Sequence, residues 1–306
     1  MSKVTILGSF VVDLITRTKK LPEKGQTIFA SDFDMGAGGK GQNQAVQSHL
    51  MGCETDFICK VGNDEVSKIG FKFWEDIGFK PKCIVVDGEK TGCANISVDE
   101  EGRNQISVFL GANNTFSTQE IMTAMERIGE SKYLLMQSEI NEEAINLAAD
   151  LAWRNSVPVI YNPAPYRNLS SDFLKRLLLI TPNETEAACL LGWPVVNLEN
   201  CKIAAQEICK MGPQNVIITL GEAGCCFANQ NDVAVYSTFK VSALDTVGAG
   251  DSFNGALVAM MASGFSIKNA IPYALAASAL SVTSKGSASS MKNLNDVEVF
   301  LKMREK

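Results

Sequence analysis

A chain of 306 residues that is 46% hydrophobic and 20% charged is long enough to bury one large core and too apolar for disorder. Its 28 Lys and Arg against 34 Asp and Glu leave a formal charge of −6 with no basic run, which argues against a nucleic-acid partner. The amino terminus, Met1-Ser2-Lys3-Val4-Thr5-Ile6-Leu7-Gly8, has no signal-peptide core, and no apolar run reaches the ~20 residues that cross a bilayer, so a cytoplasmic protein without a membrane partner is expected.

In chain order, Val4–Val12 reads as a buried strand. Thr16–Phe33, with Pro22 and Gly25, breaks the pattern and reads as antiparallel hairpin or strand. The helix expected over Gly41–Met51 carries His49, the only histidine; a Ser-His-Asp or Cys-His mechanism would rest on it alone, and it reads as an ordinary helix residue. Thr91–Leu110 alternates around the turn Asp99-Glu100-Glu101-Gly102-Arg103, again antiparallel. Tyr133–Gln137, Val157–Asn162, Leu177–Thr181 and Val216–Leu220 are apolar strands, with amphipathic helices such as Glu142–Arg154 and Leu198–Met211 between them. That order predicts a parallel sheet wrapped by helices. The irregular segments, residues 13–36 and 91–110, interrupt the α/β series and are expected to form a small β lid near the substrate site. No repeat or linker divides the chain, so the lid is an insertion in one domain, residues 1–306. Cysteines at 53, 59, 83, 93, 189, 201, 209, 225 and 226 show no Cys-x-x-Cys spacing and are expected to be reduced thiols that bind no metal.

Chemistry enters at Asp245-Thr246-Val247-Gly248-Ala249-Gly250-Asp251-Ser252-Phe253-Asn254-Gly255, where a small-residue turn runs into an apolar helix beginning near Ser252. Glycines let a backbone approach an anion, and the first amides of a helix lack internal partners. Gly248, Ala249 and Gly250 are therefore expected to hold a transferring phosphoryl group. A carboxylate at that mouth is repelled by phosphate unless it accepts the proton of an attacking hydroxyl, which assigns Asp251 as general base. A plain helix N-cap would place an Asp there with nothing bound.

Five ordered motifs carry a wider likeness: Gly36-Ala37-Gly38-Gly39-Lys40-Gly41-Gln42-Asn43-Gln44-Ala45, Asn162-Pro163-Ala164-Pro165, Thr181-Pro182-Asn183-Glu184-Thr185-Glu186, Thr219-Leu220-Gly221-Glu222-Ala223-Gly224, and Asp245–Gly255. Together they resemble the ribokinase branch of the phosphofructokinase-B carbohydrate kinases over nearly the whole chain. The resemblance implies a three-layer α/β/α fold with a mainly parallel central sheet and a small β-sheet lid. It implies a kinase moving the terminal phosphate of ATP to the 5-hydroxyl of a pentose, D-ribose by default, with Mg2+ and with K+ as activator. A homodimer through the lid is expected as well, because a lone small sheet cannot bury two faces.

By the same resemblance the sugar meets Asp13, Gly39, Lys40, Asn43, Glu139 and Asp251. Asp13, at the carboxyl end of the first strand, would accept two adjacent hydroxyls, while Lys40 and Asn43 would donate from the start of a helix. Glu139 matches a pocket position and, read alone, is also an acid at a helix start. Asn183 and Glu186 are assigned to the phosphate and magnesium environment, Glu186 through water; their spacing equally suits a helix cap. Thr219, Gly221, Gly224 and Gly250 fall on the ATP side, with Ala274–Ser281 against adenine. The potassium ligands carried over are Asp245, Val247, Ser281, Ser284, Gly286 and Ser290, of which only Asp245 and Ser290 need lend side chains.

One departure bears on substrate. Ribokinases usually carry Gly-Ser-x-Asn-x-Asp where this chain has Gly8-Ser9-Phe10-Val11-Val12-Asp13. An apolar Val11 leaves a sugar hydroxyl unpaired at a cost of roughly 1–3 kcal/mol, which moves weight toward 2-deoxyribose. Another furanose or nucleoside kinase is a further reading. From a different class comes a catalytically silent sugar-binding sensor, against which Asp251 and the intact glycine turn argue. A dinucleotide-binding oxidoreductase is discounted, since the early glycines do not follow a strand as Gly-x-Gly-x-x-Gly.

Overall fold

The computed structural model describes residues 3–304. Its strands are β1 (Lys3–Leu7), β2 (Val11–Arg17), β3 (Asp32–Gly38), β4 (Glu54–Gly62), β5 (Lys82–Val86), β6 (Gly92–Val98), β7 (Asn104–Phe109), β8 (Tyr133–Gln137), β9 (Val159–Asn162), β10 (Leu177–Ile180), β11 (Asn215–Thr219), β12 (Cys225–Asn229) and β13 (Val233–Tyr236). The helices are α1 (Lys40–Leu50), α2 (Ser67–Asp76), α3 (Thr118–Ala124), α4 (Glu142–Arg154), α5 (Ser171–Leu174), α6 (Glu184–Leu191), α7 (Leu198–Met211), α8 (Ala249–Ala262), α9 (Ile267–Ser281) and α10 (Leu294–Arg304).

Nine strands form one sheet in the order β13-β12-β11-β10-β9-β8-β1-β4-β5. It is parallel from β11 to β5 and antiparallel where β12 meets β11 and β13. Side chains of a strand alternate between faces, so neighbouring residues of the central strands feed two cores. Ile6, Leu135, Ile160 and Ile217 join one core with residues of α1, α8 and α9; Leu7, Leu134, Val159 and Ile218 join another with residues of α3, α4 and α7. Apolar on both faces, these strands read as continuous hydrophobic runs. Among the described residues no helix is long and apolar enough to cross a membrane.

Strand β8 and helices α4 and α7 fall at the expected residues. The first run does not. Instead of one strand over Val4–Val12, β1 ends at Leu7, the Gly8 amide bonds to the Ile58 carbonyl at 3.1 Å, and the chain leaves for a second sheet. Phe10 still turns into the main core, its ring 5.1 Å from that of Trp74, which is why the apolar run continues past the strand's end. Asp13 consequently sits inside β2 and not at the carboxyl end of the first strand.

The second sheet is four-stranded, in the order β3-β2-β6-β7. β2 pairs antiparallel with β3, from Val11 opposite Gly38 to Arg17 opposite Asp32, and parallel with β6; β6 pairs antiparallel with β7. Most of Thr16–Phe33 is the connection between β2 and β3, so the hairpin expected inside it is instead formed by the strands on either side. One face of this sheet turns Val12 into the main core, and the other carries a separate apolar cluster of Val11, Ile15, Ala94 and Ile96.

Candidate active site

The main sheet changes winding direction at β1, which leads to β4 and β5 on one side while β8 to β11 lie on the other. Such a switch point opens a crevice beyond the carboxyl ends of the strands. Helices α1 and α8 come together at that end. Gly248, with φ 79°, caps α8 from the left-handed region, where a side chain costs about 1–2 kcal/mol. The helix therefore begins at Ala249, earlier than the expected Ser252, and Asp251 lies within its first turn. Its bond ladder starts with the Ser252 amide donating to the Gly248 carbonyl at 2.8 Å, so the amides of Gly250 and Asp251 precede that ladder. Space over Gly250 is open: an added Cβ would meet nothing within 4 Å.

Close packing of α8 on α1 supplies the partners of Asp251. At Gly255 a Cβ would come 2.4 Å from the Gln44 carbonyl oxygen, so only glycine lets the helices approach this far. One turn earlier, Asp251 is 7% exposed and accepts two amide hydrogen bonds. Asn43 Nδ2 donates to its Oδ2 and Gln44 Nε2 to its Oδ1, each at 3.0 Å.

Asp13 faces this cluster from β2. Burial raises its pKa, the Ser287 hydroxyl donating at 3.1 Å opposes that, the Glu139 and Asp251 carboxylates raise it further and the Lys40 ammonium lowers it; the outcome is about 6 against an ordinary 3.8. Lys40 begins α1 behind Gly39. Burial alone would lower its pKa, but Asp251, Glu139, Glu186 and Asp13 outweigh that and hold the ammonium firmly charged. Glu139, just after β8, spends Oε2 on the Ser9 hydroxyl at 2.6 Å and the Lys40 amide at 2.9 Å, fastening the start of α1 to the end of β8. Val11 lies two residues before Asp13 on the same strand face, buried with Ile15, Ala94 and Ile96.

Beyond Asp251 lies α6. Asn183 and Glu186 form a reciprocal cap: the Glu186 amide donates to Asn183 Oδ1 at 2.8 Å, and the Asn183 amide to Glu186 Oε2 at 2.9 Å. Glu186 is buried, its pKa raised first by that burial, with the Asn183 bond and Lys40 opposing and Asp251 adding to the rise. Thr219 ends β11 and bridges to Asn183, and Gly221 and Gly224 bound the tight turn before β12.

Asp245 accepts from the Val247 amide on Oδ1 and the Gly286 amide on Oδ2, each at 3.1 Å, with Arg17 Nη2 3.9 Å away. Ser281 ends α9, Lys292 Nζ donates to the Ser284 hydroxyl at 3.2 Å, and the Ser290 hydroxyl donates to the Ser287 carbonyl at 2.8 Å. The loop through Gly286 and Ser287 thus joins Asp245 to Asp13.

The structure brings Asp13, Lys40, Asn43, Glu139, Glu186 and Asp251 into one electrostatic cluster and sets Asp245 with Val247 and Gly286 beside it. Sequence reasoning missed Ser9, Ser287, Ala94 and Ile96, and gave Gln44 no role of its own. A signal for Gln44 existed: α1 buries Gln42, Asn43, Gln44, Gln47 and Ser48, more polar surface than an amphipathic helix hides without reason.

The model of pfkB family carbohydrate kinases matches residues 1–294. A ribokinase of Haemophilus influenzae is 35% identical over 299 residues, which is 97% of this chain and 98% of that protein. A deoxyribokinase of Salmonella typhi is 31% identical over 304 residues, 99% of each. Among solved structures, an Arabidopsis thaliana ribokinase complexed with ribose and ATP superposes with a TM-score of 0.86 at 28% identity, covering 98% of this chain and 99% of that one.

Proposed function

The chain belongs to the pfkB family of carbohydrate kinases, and from that premise we propose that it transfers the terminal phosphate of ATP to the 5-hydroxyl of D-ribose. The observation that carries the reading is the Asp251 carboxylate, buried in the first turn of α8 beside amides that the helix does not use. A sugar held by Asp13, Lys40, Asn43 and Gly39 presents its hydroxyl to Asp251, which takes the proton as oxygen attacks phosphorus in line. Developing charge on the phosphoryl group meets the amides of Gly248, Gly250 and Asp251 and the Lys40 ammonium; the Ala249 amide, expected to share in this, is instead spent on the Thr246 carbonyl at 3.3 Å. Thr219, Gly221, Gly224 and Asn183 border the nucleotide, and the small sheet acts as a lid that excludes water.

The residues suit two cations. Glu186 offers a buried carboxylate with one oxygen taken by the Asn183 amide, which fits magnesium held through water. Bound there, magnesium supplies charge neutralisation along the phosphates. Asp245 and Ser290, with the carbonyls of Val247, Ser281, Ser284 and Gly286, offer oxygen alone and suit potassium, whose place would stiffen the loop that carries Ser287 to Asp13.

A second substrate reading, 2-deoxyribose, draws on Val11: where a ribose hydroxyl would want a partner, the side chain beside Asp13 is apolar. The reading also includes a cytoplasmic homodimer joined through the lids. Its support is the apolar strip that β7 adds beside Ala94 and Ile96, where Ile106 is 51% and Val108 46% exposed. Sedimentation of Ile106→Asp as a monomer, against a wild-type dimer, checks that part.

ADP release with ribose, 2-deoxyribose and a nucleoside panel tests the function. Asp251→Asn is expected to lower kcat by about 10²- to 10⁴-fold with sugar binding retained. Wild-type protein that turns over no sugar, or an Asp251→Asn enzyme at full rate, overturns the proposal.

A further inference from the structure

Gln44 is 0% exposed, and the chemistry above gives it no contact with sugar or nucleotide. Its Nε2 is shared between Oδ1 of Asp251 at 3.0 Å and Oδ1 of Asn162 at 3.1 Å, and its Oε1 accepts from Gln137 Nε2 at 2.5 Å. Gln137 and Asn162 are the last residues of β8 and β9 and stand opposite each other in the sheet. Asn162 Nδ2 donates onward to the Thr181 carbonyl at 2.8 Å. The Thr181 hydroxyl in turn donates to Asn254 Oδ1 at 2.6 Å, and Asn254 Nδ2 to the Gly250 carbonyl at 2.9 Å. Gly250 is the covalent neighbour of Asp251, so the bonds close into a ring that begins and ends in the first turn of α8.

Both ends of this ring fix its polarity. A carboxylate and a backbone carbonyl accept only, so Gln44 must turn its NH2 to Asp251 and Asn162 its NH2 to Thr181. The Gln44 carbonyl then faces Gln137, which must present its own NH2. Reversing any one amide sets donor against donor or oxygen against oxygen in a buried site, and each such clash costs the desolvation of an unpaired group. One arrangement survives. Asn43 reaches the other carboxylate oxygen but is also a sugar-facing residue in the function proposed above, whereas Gln44 touches the base from behind.

We propose that Gln44 is a positioning residue for phosphoryl transfer: it fixes the rotation of the Asp251 carboxylate, with Gln137 and Asn162 holding its amide, so that base and phosphate-holding turn keep one mutual geometry. This rests on Asp251 being the base. The ring ends on the Gly250 carbonyl, whose peptide plane carries the Asp251 amide, so the same bonds that hold the base also hold an amide of the turn. Misplacing a reacting group by about an ångström costs on the order of 10²-fold in rate while substrate affinity survives.

The test is steady-state kinetics and sugar binding on Gln44→Leu, Gln137→Leu and the double variant, with thermal melts. Gln44→Leu is expected to lower kcat roughly 10- to 100-fold with sugar KM within about threefold, because it removes alignment and no sugar contact. Asn43→Ala, by contrast, should raise KM as well. Gln137→Leu is expected to lower kcat about threefold to tenfold alone and to add nothing in the Gln44→Leu background, since it acts through that amide. Additive losses, or a kcat unchanged in Gln44→Leu, overturn the proposal. Should Gln44→Leu fail to fold, Gln137→Leu carries the same split between kcat and KM, and an unchanged kcat there overturns it too. An active Asp251→Asn enzyme would instead remove the base reading itself.

Discussion

The proposed sugar-binding role puts Asp13 under two opposed demands, and acid should expose the conflict. To accept hydroxyl protons from a sugar its carboxylate must be ionised, yet burial, with Glu139 and Asp251 adding to it against Ser287 and Lys40, lifts its pKa from 3.8 to about 6. Half of the empty sites are then protonated near pH 6 and about nine-tenths at pH 5, so the apparent sugar Kd should rise about tenfold between pH 8 and pH 5. Sugar hydroxyls favour the charged form, so binding near pH 6 should release a proton. Titration calorimetry without nucleotide, in two buffers of different ionisation enthalpy, measures both quantities, and Asp13→Asn should bind weakly with little pH dependence. The same shift bears on folding. Between pH 3.8 and about 6 the folded protein holds a proton here that the unfolded chain has released, so this group's effect on stability worsens as pH rises through that window. Above it the buried charge costs about 3 kcal/mol, and Asp13→Asn should raise the Tm at pH 8 by a few degrees. A sugar Kd that stays flat from pH 8 to pH 5, with no proton released, refutes the reasoning.

Gly255→Ala would bring a Cβ to 2.4 Å from the Gln44 carbonyl oxygen and 2.7 Å from Gln47 Cβ, forcing α1 and α8 apart. Overpacking of that kind costs about 1–3 kcal/mol, so thermal melts should show a Tm several degrees lower, and kcat should fall more than KM rises. Val11→Asn restores an amide beside Asp13 and should raise the ratio of kcat/KM for ribose over 2-deoxyribose by about tenfold, and an unchanged ratio removes the substrate argument. Asp245→Asn should weaken sugar binding in potassium buffer toward the value that wild type shows without potassium, since the loop it anchors carries Ser287 to Asp13; calorimetry in potassium and in a bulky organic cation makes the comparison.

How much of this was legible depends on the range of the physics involved. Helices α4 and α7 and strand β8 follow from periodicity within a dozen residues, and the sequence shows them to the residue. The change of sheet after Leu7 is invisible to the same rule, because Phe10 and Val12 stay apolar while the chain crosses from one sheet to the other. Each glycine-rich or acidic motif announces its own turn but not its neighbours: Ser287 meets Asp13 across 274 residues, and Gln137 meets Gln44 across 93. Asn183 and Glu186 make the point most sharply. Read locally, the pair left a helix cap and a phosphate or metal environment as alternatives. In the fold the cap is fully formed, and by forming it Asn183 freezes Glu186 in a buried position where Lys40 and Asp251 act on its charge. A capping bond that costs nothing beyond the helix start is thus also what orients the carboxylate, and local reasoning sees the first use without the second because the second depends on α1 and α8 arriving from elsewhere in the chain.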